Sequence, residues 1–182
     1  TSQELVQLPG IERFVVKPNA QGSTVGLTFV DRREDLDSAI QKALSYSPEA
    51  LVEEWLEGVE ISVPCLKDRA LPAVEVVPPE GKYDYAAKYL PGATEEICPA
   101  RISEKATQVA AEYAVKCHQI LGCAGATRTD MIVNGDDVTV IEVNTLPGMT
   151  ATSLLPLCAK VAGIEFDDLC EWLVKDAMER HA

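Results

Sequence analysis

The chain has 182 residues, 47% of them apolar, with 11 Gly, 11 Pro and no low-complexity run, so it can bury a core and is neither a disordered tail nor a scaffold that needs staples. Acidic residues outnumber basic ones 29 to 16, and the resulting formal charge of -13 opposes non-specific attraction to nucleic acid or to an anionic membrane. No apolar stretch is long enough to cross a bilayer and no basic leader precedes an apolar segment, so the expectation is a cytoplasmic protein with no nucleic-acid and no membrane partner. The six cysteines are widely spaced and form no Cys-x-x-Cys, which predicts reduced thiols.

In chain order, Phe14 to Lys17 read as a short strand, and apolar alternation resumes from Leu27 to Val30, so the polar stretch between them is a hairpin tip. Gly22 and Gly26 bracket Ser23 and Thr24 in that tip. Leu36, Ile40 and Leu44 recur four apart and predict a helix, with Asp35 serving its N-terminus. Val59, Ile61, Val63 and Cys65 alternate as a strand, followed by a second strand-like run, ALPAVEVV. From Pro78 to Pro99 the chain is rich in Pro, Gly, Tyr and acid, with Tyr83, Tyr85 and Tyr89 around Lys88, and reads as a long functional loop.

A second helix is predicted over EKATQVAAEYAVKCHQILG, with Ala106, Val109, Tyr113, Cys117 and Ile120 recurring three or four apart and Gly122 as its stop. Two strands then meet about Asn134-Gly135, a hairpin signal that brings Asp130 and Glu142 onto adjacent strands. From Ser153 onward come two helices separated by Gly163-Ile164, the second carrying Phe166, Leu169, Leu173 and Ala177. Strand pairs alternating with helices predict an α+β architecture, not a doubly wound parallel sheet.

Asp130, Glu142 and Asn144 supply oxygens suited to a hard cation, and Glu142 and Asn144 share a face on a regular strand. Two carboxylates and an amide suit magnesium held together with phosphate oxygens, although acid-x-Asn also occurs on solvated strand rims. QGSTVG matches neither G-x-x-x-x-G-K-[ST] nor the dinucleotide fingerprint, but its amides and hydroxyls can close over phosphate, and Lys17 and Lys88 can neutralise it. In VEEWLEGVE, Trp55 and Leu56 offer apolar walls and Glu60 an acceptor for ribose; Trp55 serves equally well as core. Arg128 stands two residues before Asp130 and, with the Gly148 amide, suits oxygen charge that develops on a reacting carboxyl. Neither His118 nor His181 has a partner recognisable by spacing.

FVVKPNAQGSTVG, VEEWLEGVEISV, YDYAAKYL, CPA, RTDMIV and IEVNTLPGMTATSLLP together resemble, in order and spacing, the D-alanine:D-alanine ligases of the ATP-grasp superfamily. The resemblance covers nearly all of the chain and is to the later portion of such an enzyme. It implies an ATP-grasp α+β fold with a partial small subdomain at 1–66, a catalytic subdomain at 67–182 with a mixed or antiparallel sheet and packed helices, and an absent N-terminal substrate domain. It implies two D-alanines joined for peptidoglycan through an acyl phosphate, with ATP and Mg2+, or Mn2+, as cofactors and a homodimer as the family assembly. In that pattern Lys17, Ser23 and Lys88 hold phosphates, Glu53, Glu54, Trp55 and Leu56 contact adenine, and Glu60 holds the ribose. Asp130, Glu142 and Asn144 take the metal; Arg128 and Gly148 stabilise the oxyanion; Ser23 and Tyr89 close the site; Ser153 and Leu154 receive the second substrate. A tyrosine at 89 resembles the dipeptide-forming type. Two further readings remain: a nucleotide-binding fragment without turnover, and a carboxylate–amine ligase for another amino acid.

Overall fold

The computed structural model describes residues 11–77 and 95–180. The tyrosine cluster with Lys88 and Tyr89, and His181, lie outside the described residues. The chain forms two compact units that divide between Leu56 and Glu57.

In the first unit, β1 (Phe14–Pro18), β2 (Thr28–Val30) and β3 (Ala50–Glu54) make an antiparallel sheet in the order β2-β1-β3. Period-two alternation sends Phe14 and Val16 into a core with Val30 and with Leu36, Ala39, Ile40 and Ala43 of helix α1 (Leu36–Leu44). Asp35 makes no side-chain cap bond; its carboxylate accepts from Arg32 instead, because its own backbone is already helical.

The second unit is built on a six-stranded antiparallel sheet. Its central strand β4 (Val59–Leu66) lies between β8 (Ala126–Asn134) and β6 (Val74–Val77), with β9 (Asp137–Asn144) beyond β8, β7 (Glu95–Ile97) beyond β6, and β5 (Arg69–Ala70) pairing the end of β4. The division after Leu56, not after residue 66, follows from this sheet: β4 pairs with β8 over its whole length, so a boundary at 66 would cut it from its partner. The end of the expected 78–99 loop is likewise the edge strand β7, paired to β6 through Glu75 and Ile97.

Helix α2 (Glu104–Ile120) covers one face of this sheet, against Ile61, Val63, Met131 and Val133. Its buried stripe is Ala106, Ala110, Ala114 and His118, whereas Tyr113 and Ile120 of the expected apolar set are exposed. Alanines win the inner face because small side chains let the helix axis approach the branched residues of β4 and β8. Ser103 caps the helix through Ala106 N–H, and a left-handed Gly122 ends it, with Cys123 N–H bonded to the His118 carbonyl. His118 Nδ1 lies 2.9 Å from Thr127 Oγ1 on β8, and burial pushes its imidazole below the usual pKa.

On the opposite face, α3 (Leu154–Val161) and α4 (Phe166–Arg180) bring Leu155, Cys158, Ala159 and Leu169 onto Leu66, Val74 and Ala126, covering only the Leu66 end of β4. Phe166 lies outside this core and is half exposed. All six cysteines are free thiols, and Cys98 and Cys158 stand 3.9 Å apart at sulfur, with burial raising both. The hairpin β8–β9 pairs Asn134 with Asp137, so its turn residues are Gly135 and Asp136, one step later than expected.

Ile61→Ala should lower unfolding free energy by ~2–5 kcal/mol, as for other fully buried large-to-small changes, measured by urea titration. A Cβ at Gly58 would collide with the Val133 carbonyl, so Gly58→Ala should destabilise the second unit despite its small added volume. Glu75 accepts from the Arg101 guanidinium and from Arg101 N–H, and these bonds hold its carboxyl below the ordinary value. A depressed folded pKa gives stability that is present above the unfolded value and lost as pH falls through the folded one. The stability gap between the protein and its Glu75→Gln variant should therefore be widest near neutrality and close only below about pH 4.5; an unchanging gap across that range would refute the assignment.

Candidate cation and phosphate site

The part of the second unit's sheet face that α3 and α4 leave unpacked carries the candidate polar residues, and a β-bulge puts them there. From the hairpin turn, Val138 and Val140 pair with Val133 and Met131 and pack toward α2. On a regular strand Glu142 and Asn144 would continue on that same core face. The register slips between Asp130 and Met131, so that Ile141 is the extra residue, and Asp130 pairs with Glu142 while Arg128 pairs with Asn144. Glu142 and Asn144 thus join Arg128 and Asp130 on the open face, each directly cross-strand at about 5 Å between Cβ atoms.

The neighbouring strand extends this face. Ser62 pairs with Asp130 and Glu60 with Ile132, so Glu60, Ser62, Arg128, Asp130, Glu142 and Asn144 share one side of three adjacent strands. Asp130 is buried, and its carboxylate is held by a fork: Arg128 Nε donates to Oδ1 and Nη2 to Oδ2, both at 2.8 Å. Ser62 Oγ, also buried, donates to Oδ1 at 2.6 Å. Bidentate charged bonds of this kind fix both groups. Glu142 is exposed at the rim. Among the described residues no three His, Cys, Asp or Glu side chains form a metal cage, so the donors are two carboxylates and an amide.

Asn144 begins the turn that follows β9. Its Oδ1 accepts the Leu146 N–H at 3.1 Å, an Asx turn that uses one of its two lone pairs. Ser153 closes the same segment: its Oγ accepts Thr150 N–H at 3.0 Å and lies 2.8 Å from Thr150 Oγ1. A Cβ on Gly148 would fall 2.6 Å from that Oγ, so a side chain there would displace the Ser153 hydroxyl from its place in the turn. Gly148, Ser153 and Leu154 are therefore gathered at the start of α3, with the Ser153 hydroxyl ordering the turn and Leu154 packed on the helical core.

In the first unit, Val15, Lys17, Phe29, Leu51 and Glu53 occupy the face away from α1, and Lys17 Nζ pairs with Glu53 at 2.6 Å. Glu54 points by alternation to the other side. The Trp55 ring meets Phe29 edge-on at 4.9 Å, and the Arg13 guanidinium lies 4.4 Å over its centre, so the expected apolar wall already has a cation on one side. Trp55 N–H bonds the Arg13 carbonyl. In the hairpin tip Ser23 and Thr24 both adopt left-handed backbone, with Val25 N–H bonded to the Gly22 carbonyl: a tight turn that non-glycine residues rarely make.

Ser62 and the Ile141 bulge were not among the expected site features. Both have a sequence signal: Ser62 is two residues from Glu60 on the same strand face, and the apolar parity shifts from Val138 and Val140 to Ile141 and Val143.

Comparison with known proteins identifies the family. The profile of the family described as D-ala D-ala ligase C-terminus matches residues 3–175. The chain is 48% identical over 170 residues to the D-alanine–D-alanine ligase of Syntrophobacter fumaroxidans, which covers 91% of this chain and 55% of that protein. It is 43% identical over 177 residues to the enzyme of that name from Halalkalibacterium halodurans, covering 94% and 58%. Among solved structures, the D-alanine–D-alanine ligase from Bacillus anthracis superposes with a TM-score of 0.84 at 31% identity, covering 98% of this chain and 58% of that one. The VanG D-Ala:D-Ser ligase from Enterococcus faecalis gives 0.82 at 30%, covering 95% and 52%. The chain thus spans a little over half the length of the curated relatives it matches. It belongs to the D-ala D-ala ligase C-terminus family, with the antiparallel sheets and packed helices expected of that ATP-grasp portion.

Proposed function

We propose that the chain is the nucleotide- and cation-binding part of an ATP-dependent D-alanine ligase that joins two D-alanines for peptidoglycan synthesis through an acyl phosphate, releasing ADP and phosphate. The observation that carries this reading is the single open face with Glu60, Arg128, Asp130, Glu142 and Asn144. The names of relatives 40% to 48% identical support the substrate. Turnover belongs to the longer protein, in which a preceding portion, or a complementary chain, completes the D-alanine site. D-alanine is taken as the second substrate on the names of those relatives; the solved D-alanine–D-alanine and D-Ala:D-Ser ligases stand at nearly the same identity, 31% and 30%, and do not separate the two.

The donor set fits Mg2+, which takes one or two carboxylates with water and phosphate oxygens, and Mn2+ accepts the same oxygens. Asp130, Glu142 and Asn144 would hold it; when bound, it neutralises phosphate charge during phosphoryl transfer. The chain's own groups do the rest. Lys17 and Lys88 hold phosphate oxygens, and the Ser23 loop and Tyr89 close over them. Glu53, Glu54 and Leu56 border the adenine and Glu60 the ribose, while the Trp55 ring, already engaged by Arg13 and Phe29, steadies that segment. Arg128, fixed by Asp130, presents its charge to the reacting carboxyl without reorganisation, and Gly148 N–H adds a donor where no side chain intrudes. Ser153 and Leu154 shape the region for the second amino acid.

D-alanine-dependent phosphate release from ATP by the full-length protein tests the reading. Nucleotide binding with release indifferent to D-alanine would contradict it and favour a non-catalytic fragment or another amino acid. Glu142→Ala should weaken ADP binding to the chain at fixed Mg2+ by at least the ~10-fold typical of losing an outer-shell partner, with unfolding changed by less than about 0.5 kcal/mol, read by calorimetry and urea titration. In the full-length enzyme Arg128→Ala should lower kcat by ~10²–10³, equivalent to ~2.7–4 kcal/mol. Turnover within a few-fold of the parent would remove Arg128 from the chemistry.

A further inference from the structure

We propose that Ser62 is a positioning residue that leaves Asp130 one oxygen, Oδ2, for the cation; the inference rests on the cation reading above. An ionised carboxylate has about four lone-pair sites. In Asp130 three are taken: Arg128 Nε and Ser62 Oγ both donate to Oδ1, and Arg128 Nη2 donates to Oδ2. The remaining site is on Oδ2. Without the serine, the arginine fork alone would leave one site on each oxygen, and a cation could take either or bridge both.

The serine is placed for this and little else. Its backbone is fixed between two strands, opposite Asp130 on β8 and opposite Val74 on β6. Its side chain is 3% exposed, and its one proton goes to Asp130. Glu60 precedes it on the same face and Pro64 follows, so among these β4 positions the hydroxyl at 62 is the group that reaches the carboxylate. Three bonds from two side chains also stop the carboxylate turning about its χ2 axis, on the sheet face that Asp130 shares with Glu142 and Asn144.

The test measures free Mn2+ by electron paramagnetic resonance during titration of the ADP-saturated chain. Ser62→Ala should weaken Mn2+ binding about tenfold, the loss typical of an outer-shell partner. Ser62→Thr, which keeps the hydroxyl, should retain parent affinity, and Ser62→Val, of matching shape, should behave as alanine does; the Thr/Val pair separates the hydroxyl from any packing effect. Circular dichroism and thermal unfolding establish that each variant is folded. Equal Mn2+ affinity in the Thr and Val variants would overturn the proposal. Glu142→Ala is the reference: if it weakens Mn2+ and Ser62→Val does not, Ser62 alone loses its role. If neither weakens Mn2+, the cation reading fails with it.

Discussion

One inserted residue in β9 governs the chemistry of this face. Ile141 has no partner on β8, and the slip it causes turns Glu142 and Asn144 from the α2 side of the sheet to the side that carries Arg128 and Asp130. A strand with strict period two would have driven a carboxylate and an amide into a core of Ile61, Met131, Val133 and three alanines, where an unpaired charge costs several kcal/mol. The bulge allows one strand to serve the core near its hairpin end and the site near its other end. The second unit can therefore be well packed and still present polar groups in fixed positions.

The same logic separates stability from function across the sheet. Its α2 face is close-packed and mostly apolar, with the His118–Thr127 contact, Thr129 and Glu75 as buried polar groups. On its other face α3 and α4 pack on Leu66, Val74 and Ala126, and beside them lies the Arg128–Asp130–Ser62 network. A partly buried ion pair is weak evidence for stability, because desolvation offsets much of the attraction. Its value here is positional: it holds a guanidinium and a carboxylate in one geometry before any ligand arrives. The turn after β9 is fixed by the same means, through Asn144 to Leu146 and Ser153 to Thr150, with Gly148 close against the Ser153 hydroxyl.

Much of this was legible in the sequence. Alternation from Val59 to Cys65 and the apolar runs around Asn134-Gly135 found the central strands and put Asp130 and Glu142 on adjacent ones, but their direct pairing depends on the bulge. The inner face of α2 was found only at Ala106, because large apolar side chains are a poor guide where a helix must approach a sheet closely; alanines at 110 and 114 also occupy it, and Tyr113 and Ile120 are outside. The common face of Glu142 and Asn144 was legible, but not the bulge that selects it, since a period-two rule cannot say which of two faces a strand changes to unless the shift in apolar parity is followed. Partnerships such as Lys17 with Glu53 and Trp55 with Arg13 depend on cross-strand neighbours far apart in sequence, and no local pattern announces them.

The central claim is that a cation brought in with nucleotide rests on the face built by β8 and β9. Its most direct test is paramagnetic broadening of backbone amide resonances when Mn2+ is added to the isotope-labelled chain with ADP bound. Strongest loss of signal at residues 128–130 and 142–144, reversed by excess Mg2+, is the expected result. Broadening centred elsewhere, or none while ADP remains bound, would contradict it.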